Sequence, residues 1–94
     1  MEGQMRIAYF KNDNGNNRQN HFVRIMDNGD IEFYSYITHC ATLKGNKVIR
    51  HWGGKSMTTM RHFRHFLEEY DYGGEWNKFK TVGKYWDSLS VVRN

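Results

Sequence analysis

The sequence predicts an α+β domain, in which an antiparallel β-meander of about four to five strands packs one face against one main amphipathic helix. Segments of alternating apolar and polar residues occupy the first half of the chain and are separated by turn sequences such as Asn28-Gly29. Apolar residues at helical spacing follow between Ser56 and Tyr70. A length of 94 residues suits a single domain, covering residues 1–94, around one core.

Four strands are predicted in order, over residues 5–11, 21–26, 31–43 and 47–52. The polar residues 12–20 between the first two predict an exposed, mobile loop. Residues 31–43 make a long strand, so we expect a bend or a bulge within it. Its buried face is predicted to carry residues of one parity: Ile31, Phe33, Ile37, Ala41 and Leu43.

The helix is predicted from its ends and from its apolar stripe. Ser56, or Thr58 if the helix begins later, has the side chain of an N-cap, and Gly73-Gly74 marks the stop. The face predicted to pack on the sheet consists of Met60, Phe63, Phe66, Leu67 and Tyr70. Residues 75–94 favour either a short helix with Trp76, Phe79 and Val82 or a final strand over residues 89–92.

Charge and cysteine content limit the classes of function. The chain carries 14 Lys and Arg against 10 Asp and Glu, a net charge of +4, which favours phosphate-rich or acidic partners but is also found on ordinary basic surfaces. Cys40 is the single cysteine, which fits a reducing cytoplasm. Residues 1–4 lack the order of a secretory signal, and Met5 is an alternative start. We therefore expect a cytoplasmic protein with no membrane contact.

Histidines and the cysteine do not form a catalytic signature. His62 and His65, with His51 as a third ligand, are the best metal candidates, but structural and catalytic sites usually need three or four ligands. His39 and Cys40 are neighbours in a strand, so their side chains point to opposite faces and the histidine cannot activate the thiol. The sequence therefore predicts no enzyme, no metal and no cofactor.

A basic cluster at the helix start is the most coherent candidate binding site. Free backbone donors at this end of a helix favour an anion. Arg64 can pair with Glu68, and His65 with Glu69, four residues along, which leaves an exposed face of local ion pairs as the alternative. Arg61 has no such partner in the helix. The predicted cluster consists of Lys55, Arg61, Arg64 and His65.

A second basic group occupies the last quarter of the chain. It consists of Lys78, Lys80, Lys84 and Arg93, which are interleaved with Trp76, Phe79, Tyr85 and Trp86. Its candidate binding residues are Lys78, Lys80 and Lys84. Cations beside aromatic rings are typical of single-stranded nucleic-acid binding, because bases stack on the rings. The alternative, which we favour, is that these rings complete the core of a small domain.

Residues 34–67 resemble a group of small, uncharacterised phage and prophage proteins. The shared pattern is a Ser-Tyr pair opening a strand, a turn, a tryptophan segment and a Ser-x-Thr-Thr-x-x-His helix start. Its matching residues here are Ser35-Tyr36, Gly45-Asn46, Trp52, Ser56-Met57-Thr58-Thr59-Met60-Arg61-His62 and Phe66-Leu67. The resemblance implies a phage or mobile-element origin and a small α+β fold, and it implies no activity.

Together these observations predict a non-enzymatic binding protein that acts in the cytoplasm of an infected bacterium. We expect its basic surface to engage a host protein or nucleoprotein complex, and to inhibit a host defence complex in the manner of an anti-CRISPR protein. Direct nucleic-acid binding is one alternative, and a small metal-dependent nuclease is another. An exposed edge strand also leaves a homodimer open.

Overall fold

Five antiparallel strands form a meander in which each strand pairs with the next along the chain. The computed structural model describes residues 5–11 and 14–93. The strands are β1 (Arg6–Lys11), β2 (Asn17–Ile25), β3 (Ile31–Ser35), β4 (Thr38–Lys44) and β5 (Lys47–Arg50). Helix α1 (Met57–Tyr70), a 3-10 helix (Glu75–Lys78) and helix α2 (Val82–Ser88) follow. The predicted α+β fold is confirmed.

Strand β2 is longer than the sequence predicts. It begins at Asn17, so the second half of the predicted loop is strand, and its register against β1 shifts between Tyr9 and Lys11. In this polar segment Asn17 pairs with Lys11 of β1, and the Asn20 carbonyl accepts a hydrogen bond from the Tyr36 amide at 2.8 Å. Residues 12 and 13 of the predicted loop, like residues 1–4, lie outside the described part of the chain.

The prediction of one long strand over residues 31–43 is wrong, because the segment turns back on itself after Ser35. Tyr36 has a φ of 56° and opens the two-residue turn between β3 and β4. Ile37 is 95% exposed at this turn and does not share the buried face of Phe33. The predicted irregularity is also present, as a register shift that leaves Cys40 as the extra residue of β4.

Helix α1 packs on the sheet through the predicted stripe. Its first turn is capped by Ser56, whose hydroxyl oxygen accepts a hydrogen bond from the Thr59 amide at 3.0 Å. The helix ends at Tyr70, three residues before Gly73, with Asp71 as its C-cap. The residues of the predicted packing face that are buried are Met60, Phe63, Phe66 and Leu67, while Tyr70 is half-buried.

The C-terminal segment completes the core. It contains part of each predicted alternative, a short helix and a final strand. Helix α2 buries Tyr85 and Trp86, and the Trp86 ring meets Phe63 edge-on at 4.9 Å. The predicted final strand is reduced to one bridge between Val91 and Arg50. None of the helices in the described ranges has both the length and the hydrophobicity that a membrane span requires.

The face of the sheet opposite α1 carries a row of rings that crosses four strands. Phe22 stacks on Tyr34 at 5.0 Å, and Tyr34 stacks on His39 at 4.9 Å, with Tyr9 tilted against Phe22 at the edge. Because the inner rings turn their faces toward one another, they present edges to solvent. This arrangement stabilises the strand pairs and does not form a platform on which bases stack.

Candidate functional site

An open groove of about 760 Å³ lies between the first half of α1 and the start of α2. Its position follows from the chain path, because Gly53-Gly54 leads directly from β5 into α1 and the Trp86 indole donates a hydrogen bond to the Gly54 carbonyl at 2.9 Å. That bond holds α2 beside the start of α1. We call this surface the basic groove, and its principal residues are Lys55, Met57, Met60, Arg61, Arg64 and Val82.

Met57 adds an exposed apolar side chain to the basic groove. It is the first residue of α1 and is 85% exposed. Met60, which is buried, and Val82, which is half-buried, continue the apolar floor. A flexible, polarisable methionine in this position suits contact with varied apolar side chains. Sequence reasoning missed Met57, because at three residues from Met60 it extends the packing stripe and gives no separate signal.

Three cations rim the groove, and they differ in how they are paired. Lys55 Nζ lies 2.8 Å from the Asp87 carboxylate, and Arg64 Nε lies 3.1 Å from Glu68, as the helical spacing predicts. Arg61 is exposed and makes no hydrogen bond or ion pair with any described residue. Both existing pairs are exposed to solvent and therefore weak, so the rim keeps a positive charge that a partner can use.

His65, the fourth member of the predicted basic cluster, lies away from the groove. Its Nδ1 is 3.2 Å from Nε2 of His21, beneath the helix. His21 is fully buried and stacks on His62 at 3.9 Å, and His62 Nδ1 is 2.9 Å from the Ser35 hydroxyl. The structure therefore gathers three histidines in the interface between helix and sheet, and it separates His65 from the arginines.

His51 takes no part in that histidine cluster, contrary to the metal arrangement weighed from the sequence. Its Nε2 is 2.9 Å from the Thr42 hydroxyl and its Nδ1 is 2.8 Å from the Val92 carbonyl. In the described parts of the chain, no group of three or more His, Cys, Asp and Glu is arranged to hold a metal ion. Burial raises the pKa of Cys40 to about 11, so its sulfur is a protonated thiol at neutral pH.

The second basic group is spread over the C-terminal segment. Lys78 pairs with Glu75 at 3.3 Å in the 3-10 helix, and Lys84 is exposed in the first turn of α2. Lys80 lines a hollow of about 140 Å³ that shares Arg64 and Val82 with the basic groove. Only Lys80 among these three extends the groove.

The aromatic residues of the same segment belong to the core. Trp86 is fully buried and Tyr85 is nearly so, while Trp76 is half-buried and donates its indole N–H to the Asp71 carbonyl at 2.7 Å. Phe79 retains some exposure but tilts against Tyr85 at 5.2 Å. These rings are placed for packing and leave little ring face for bases.

Arg50 holds the two sides of the groove together from below. Its guanidinium lies 4.4 Å from the centre of the Trp86 ring and donates to the carbonyl oxygens of Trp86 at 2.9 Å and Gly53 at 3.0 Å. It thereby ties the end of α2 to the loop that leads into α1. Sequence reasoning placed Arg50 in a strand and missed this role. The one signal for it in the sequence is an arginine among apolar strand residues.

Comparison with known proteins places the chain in a family without assigning an activity. No curated protein and no solved structure matches it. A model of a family of unknown function, DUF8033, matches residues 5–85, which include all five strands, α1 and the basic groove. The chain belongs to the DUF8033 family.

Proposed function

We propose that this protein acts by binding, and that the basic groove docks an acidic segment of a partner protein through an apolar anchor. The observation that carries the proposal is the combination of Met57, exposed at the start of α1, with Arg61, a cation that has no bonded partner in the described chain. An apolar floor alone would fit any hydrophobic segment. Cations around it select a segment with carboxylates on either side of the anchor.

An acidic protein segment fits the basic groove better than nucleic acid does, because the aromatic rings are not free to stack on bases. Single-stranded nucleic acid needs free ring faces. No aromatic residue of the described chain lines the groove itself, and in the adjoining hollow Trp76 is half-buried and Phe79 tilts against Tyr85. The groove offers methionine, valine and aliphatic stems instead. These groups pack against a leucine or phenylalanine side chain and give little stacking to a base.

The groove is tested with short labelled peptides by fluorescence anisotropy. One peptide is rich in Asp and Glu around a central Phe, a second replaces the Phe by Ala, and labelled oligothymidine of similar charge is the third probe. We expect the Phe peptide to bind most tightly. We expect Arg61→Glu to weaken its binding at least tenfold, ~1.4 kcal/mol or more, because like charges across an interface cost several kcal/mol.

Lys47→Glu is the matched control, since it makes the same charge change at an exposed site on β5, outside the groove. It should leave the affinity for the Phe peptide within about twofold, and far-ultraviolet circular dichroism should show both variants folded. Met57→Ala should reduce the preference for Phe over Ala. Tighter binding of oligothymidine than of either peptide, unaffected by Met57→Ala, would show that the surface binds nucleic acid instead.

The wider role stays a prediction that rests on the phage resemblance. If the partner is part of a host defence complex, affinity capture from a bacterial lysate should enrich that complex with the wild-type protein and with Lys47→Glu. Arg61→Glu should fail to enrich it. Inhibition of the captured complex, measured with purified components, would then test the anti-CRISPR-like activity.

A further inference from the structure

The two edges of the sheet differ in how they are covered. At β5 the C-terminal segment closes part of the edge, since Val91 bridges to Arg50 and the Val92 amide donates to the Arg50 carbonyl at 2.7 Å. At the other side β1 is the terminal strand, and no other described strand pairs with its outer edge. Unpaired backbone donors and acceptors along such an edge are a template for another strand.

The side chains of β1 add apolar surface to this open edge. Met5, Ile7 and Tyr9 alternate along one face and are 43%, 45% and 40% exposed. Natural sheets protect free edges with proline, with charges that point inward or with short strands. The chain contains no proline, and the charges and the register shift of the six-residue β1 are confined to its ends, at Arg6 and between Tyr9 and Lys11. The apolar row is therefore available to a strand that extends the sheet.

A cavity of about 410 Å³ opens on the other face of β1, beneath the last turn of α1. Its walls include the Phe10 and Tyr70 rings, which meet edge-on at 6.1 Å, and the carboxylates of Glu68 and Glu69. Glu68 pairs with Arg64, whereas Glu69 makes no hydrogen bond or ion pair with a described residue. Lys11 and His65 also line the cavity. The two carboxylates and the carbonyl end of α1 lie together on the wall formed by the last helical turn, so this wall attracts a cationic side chain.

We propose that the occupant of this edge is a second copy of the chain, paired antiparallel through β1 with Ala8 opposite Ala8. In this register Ile7 of each copy lies opposite Tyr9 of the other, a β-branched and aromatic pair of the kind that stabilises sheets. Arg6 of each copy lies opposite Phe10 of the other. The two cationic residues of β1, Arg6 and Lys11, do not face each other.

Charge complementarity selects this register over its neighbours. Residues directly opposite in an antiparallel pair point to the same face, so only shifts by two residues keep Ile7 and Tyr9 on the open face. Either shift moves Arg6 away from Phe10. In the proposed register Arg6 enters the cavity of the second copy beside Glu69, and the two-fold symmetry repeats this contact. Arg6, like Glu69, makes no hydrogen bond or ion pair with a described residue of its own chain, although both lie near enough to Tyr70 to act on its pKa.

Light scattering after gel filtration measures the mass of the protein across a range of concentrations. We expect a shift from one chain toward two between roughly 1 and 100 μM, because a strand pair of this length lies at the small end of specific interfaces. Arg6→Glu and Glu69→Arg should each remain monomeric over that range, since each places two like-charge contacts in the dimer. Lys47→Glu on β5 should dimerise as the wild type does.

Mixing the two monomeric variants distinguishes contact between copies from contact within one chain. A pair formed by Arg6→Glu and Glu69→Arg has an opposite-charge contact in both cavities, so native mass spectrometry should detect the mixed dimer and neither homodimer. Circular dichroism confirms that each variant is folded. A wild-type protein that stays monomeric at 100 μM and above, or a mixture that forms no mixed dimer, overturns the proposal.

Discussion

Arg50 shows at the scale of one residue how a buried charge is used when no carboxylate of the described residues pairs with it. It is 8% exposed, and its guanidinium donates to five carbonyl oxygens, those of Trp52, Trp86 and Leu89 and of Gly53 and Gly54. Five planar donors in a fixed fork can serve several carbonyls at once, which an ammonium cannot. The residue therefore acts as a structural clamp and is not available to a ligand.

We expect Arg50→Met to lower the free energy of unfolding by about 3 kcal/mol or more, because buried carbonyls would lose charged donors. For a domain of this size that corresponds to a fall in Tm of roughly 12 °C or more. Thermal unfolding followed by circular dichroism measures it. The Tm of Arg50→Lys should lie between those of the wild type and Arg50→Met. A Tm for Arg50→Met within two or three degrees of wild type, on the order of 0.5 kcal/mol, would contradict the role of Arg50 as a clamp.

His39 gives the chain a defined sensitivity to acid. Its Nε2 lies 3.1 Å from both the Ala41 carbonyl and the Thr42 hydroxyl, and its ring centre is 4.6 Å from that of His51. Burial, and then the neighbouring His51, lower the pKa of His39 below its ordinary value of 6.5. The unfolded chain, with the ordinary pKa, consequently binds more protons than the folded chain in the interval between the two values.

The contribution of His39 to stability therefore falls as the pH drops through about 6.5 toward its lower, folded pKa. We expect the free energy of unfolding, measured by urea titration at several pH values between pH 8 and 5, to decline over this interval. His39→Gln, which keeps a donor but does not titrate, should have a smaller decline. The difference between the two curves isolates the contribution of His39. Parallel curves would show that His39 does not contribute.

Turn chemistry explains at the scale of elements why some strands are predictable from sequence and one hairpin is not. The Asn28-Gly29 pair predicts the turn between β2 and β3, and Gly29 adopts a φ of 96° that glycine tolerates. The next turn places Tyr36 at a φ of 56°, which an aromatic residue adopts only when its surroundings impose it. The Tyr36 ring tilts against His62 at 5.8 Å, and the Tyr36 amide donates to the Asn20 carbonyl. Tertiary contacts fix this turn, and local sequence does not encode it.

The candidate site likewise has one part that the sequence predicts and one part that it does not. Arg61 and the Arg64–Glu68 pair are on one helix, so helical spacing was sufficient to predict which cation lacks a partner. The apolar floor needs Val82, which reaches the groove only because α2 folds back onto α1. The sequence wrongly assigned His65 to the basic cluster, because His65 is held away from the groove by its contact with His21, and these two residues are 44 positions apart in the chain. Local periodicity carries no information about such contacts.

The charge on α1 runs against the dipole of the helix, and this reversal connects the two proposed surfaces of the molecule. The N-terminal half, which the dipole makes positive, carries Arg61 and Arg64 at the basic groove, and the last turn carries Glu68 and Glu69 at the cavity beside β1. Glu68 and Glu69 lie in the last turn, where an unfavourable charge costs about 0.3–1 kcal/mol, whereas Arg61 and Arg64 lie beyond the first turn, where the cost is smaller. A helix selected for stability alone would have the opposite arrangement, so the reversal is consistent with two surfaces kept for partners.

Reversing these charges should therefore stabilise the isolated monomer while removing both interactions. We expect Arg61→Glu combined with Glu69→Lys to raise the Tm by a few degrees at low salt, because Glu69→Lys in the last turn favours the dipole by some tenths of a kcal/mol and Arg61→Glu, one turn into the helix, favours it by less. The gain should shrink in high salt, which screens surface charge. Tm is measured at a concentration at which the wild type is monomeric, so that loss of the dimer does not mask the gain.

The neutral pair Arg61→Gln with Glu69→Gln is the control and should give about half of the increase, since it removes the unfavourable charges without adding favourable ones. The same double charge reversal should bind no Phe peptide and form no dimer. A reversed variant whose Tm equals or falls below that of wild type would mean that contacts already within the monomer balance these charges. The orientation of charge along α1 would then have a structural explanation, and Arg61 and Glu69 would no longer single out the two surfaces.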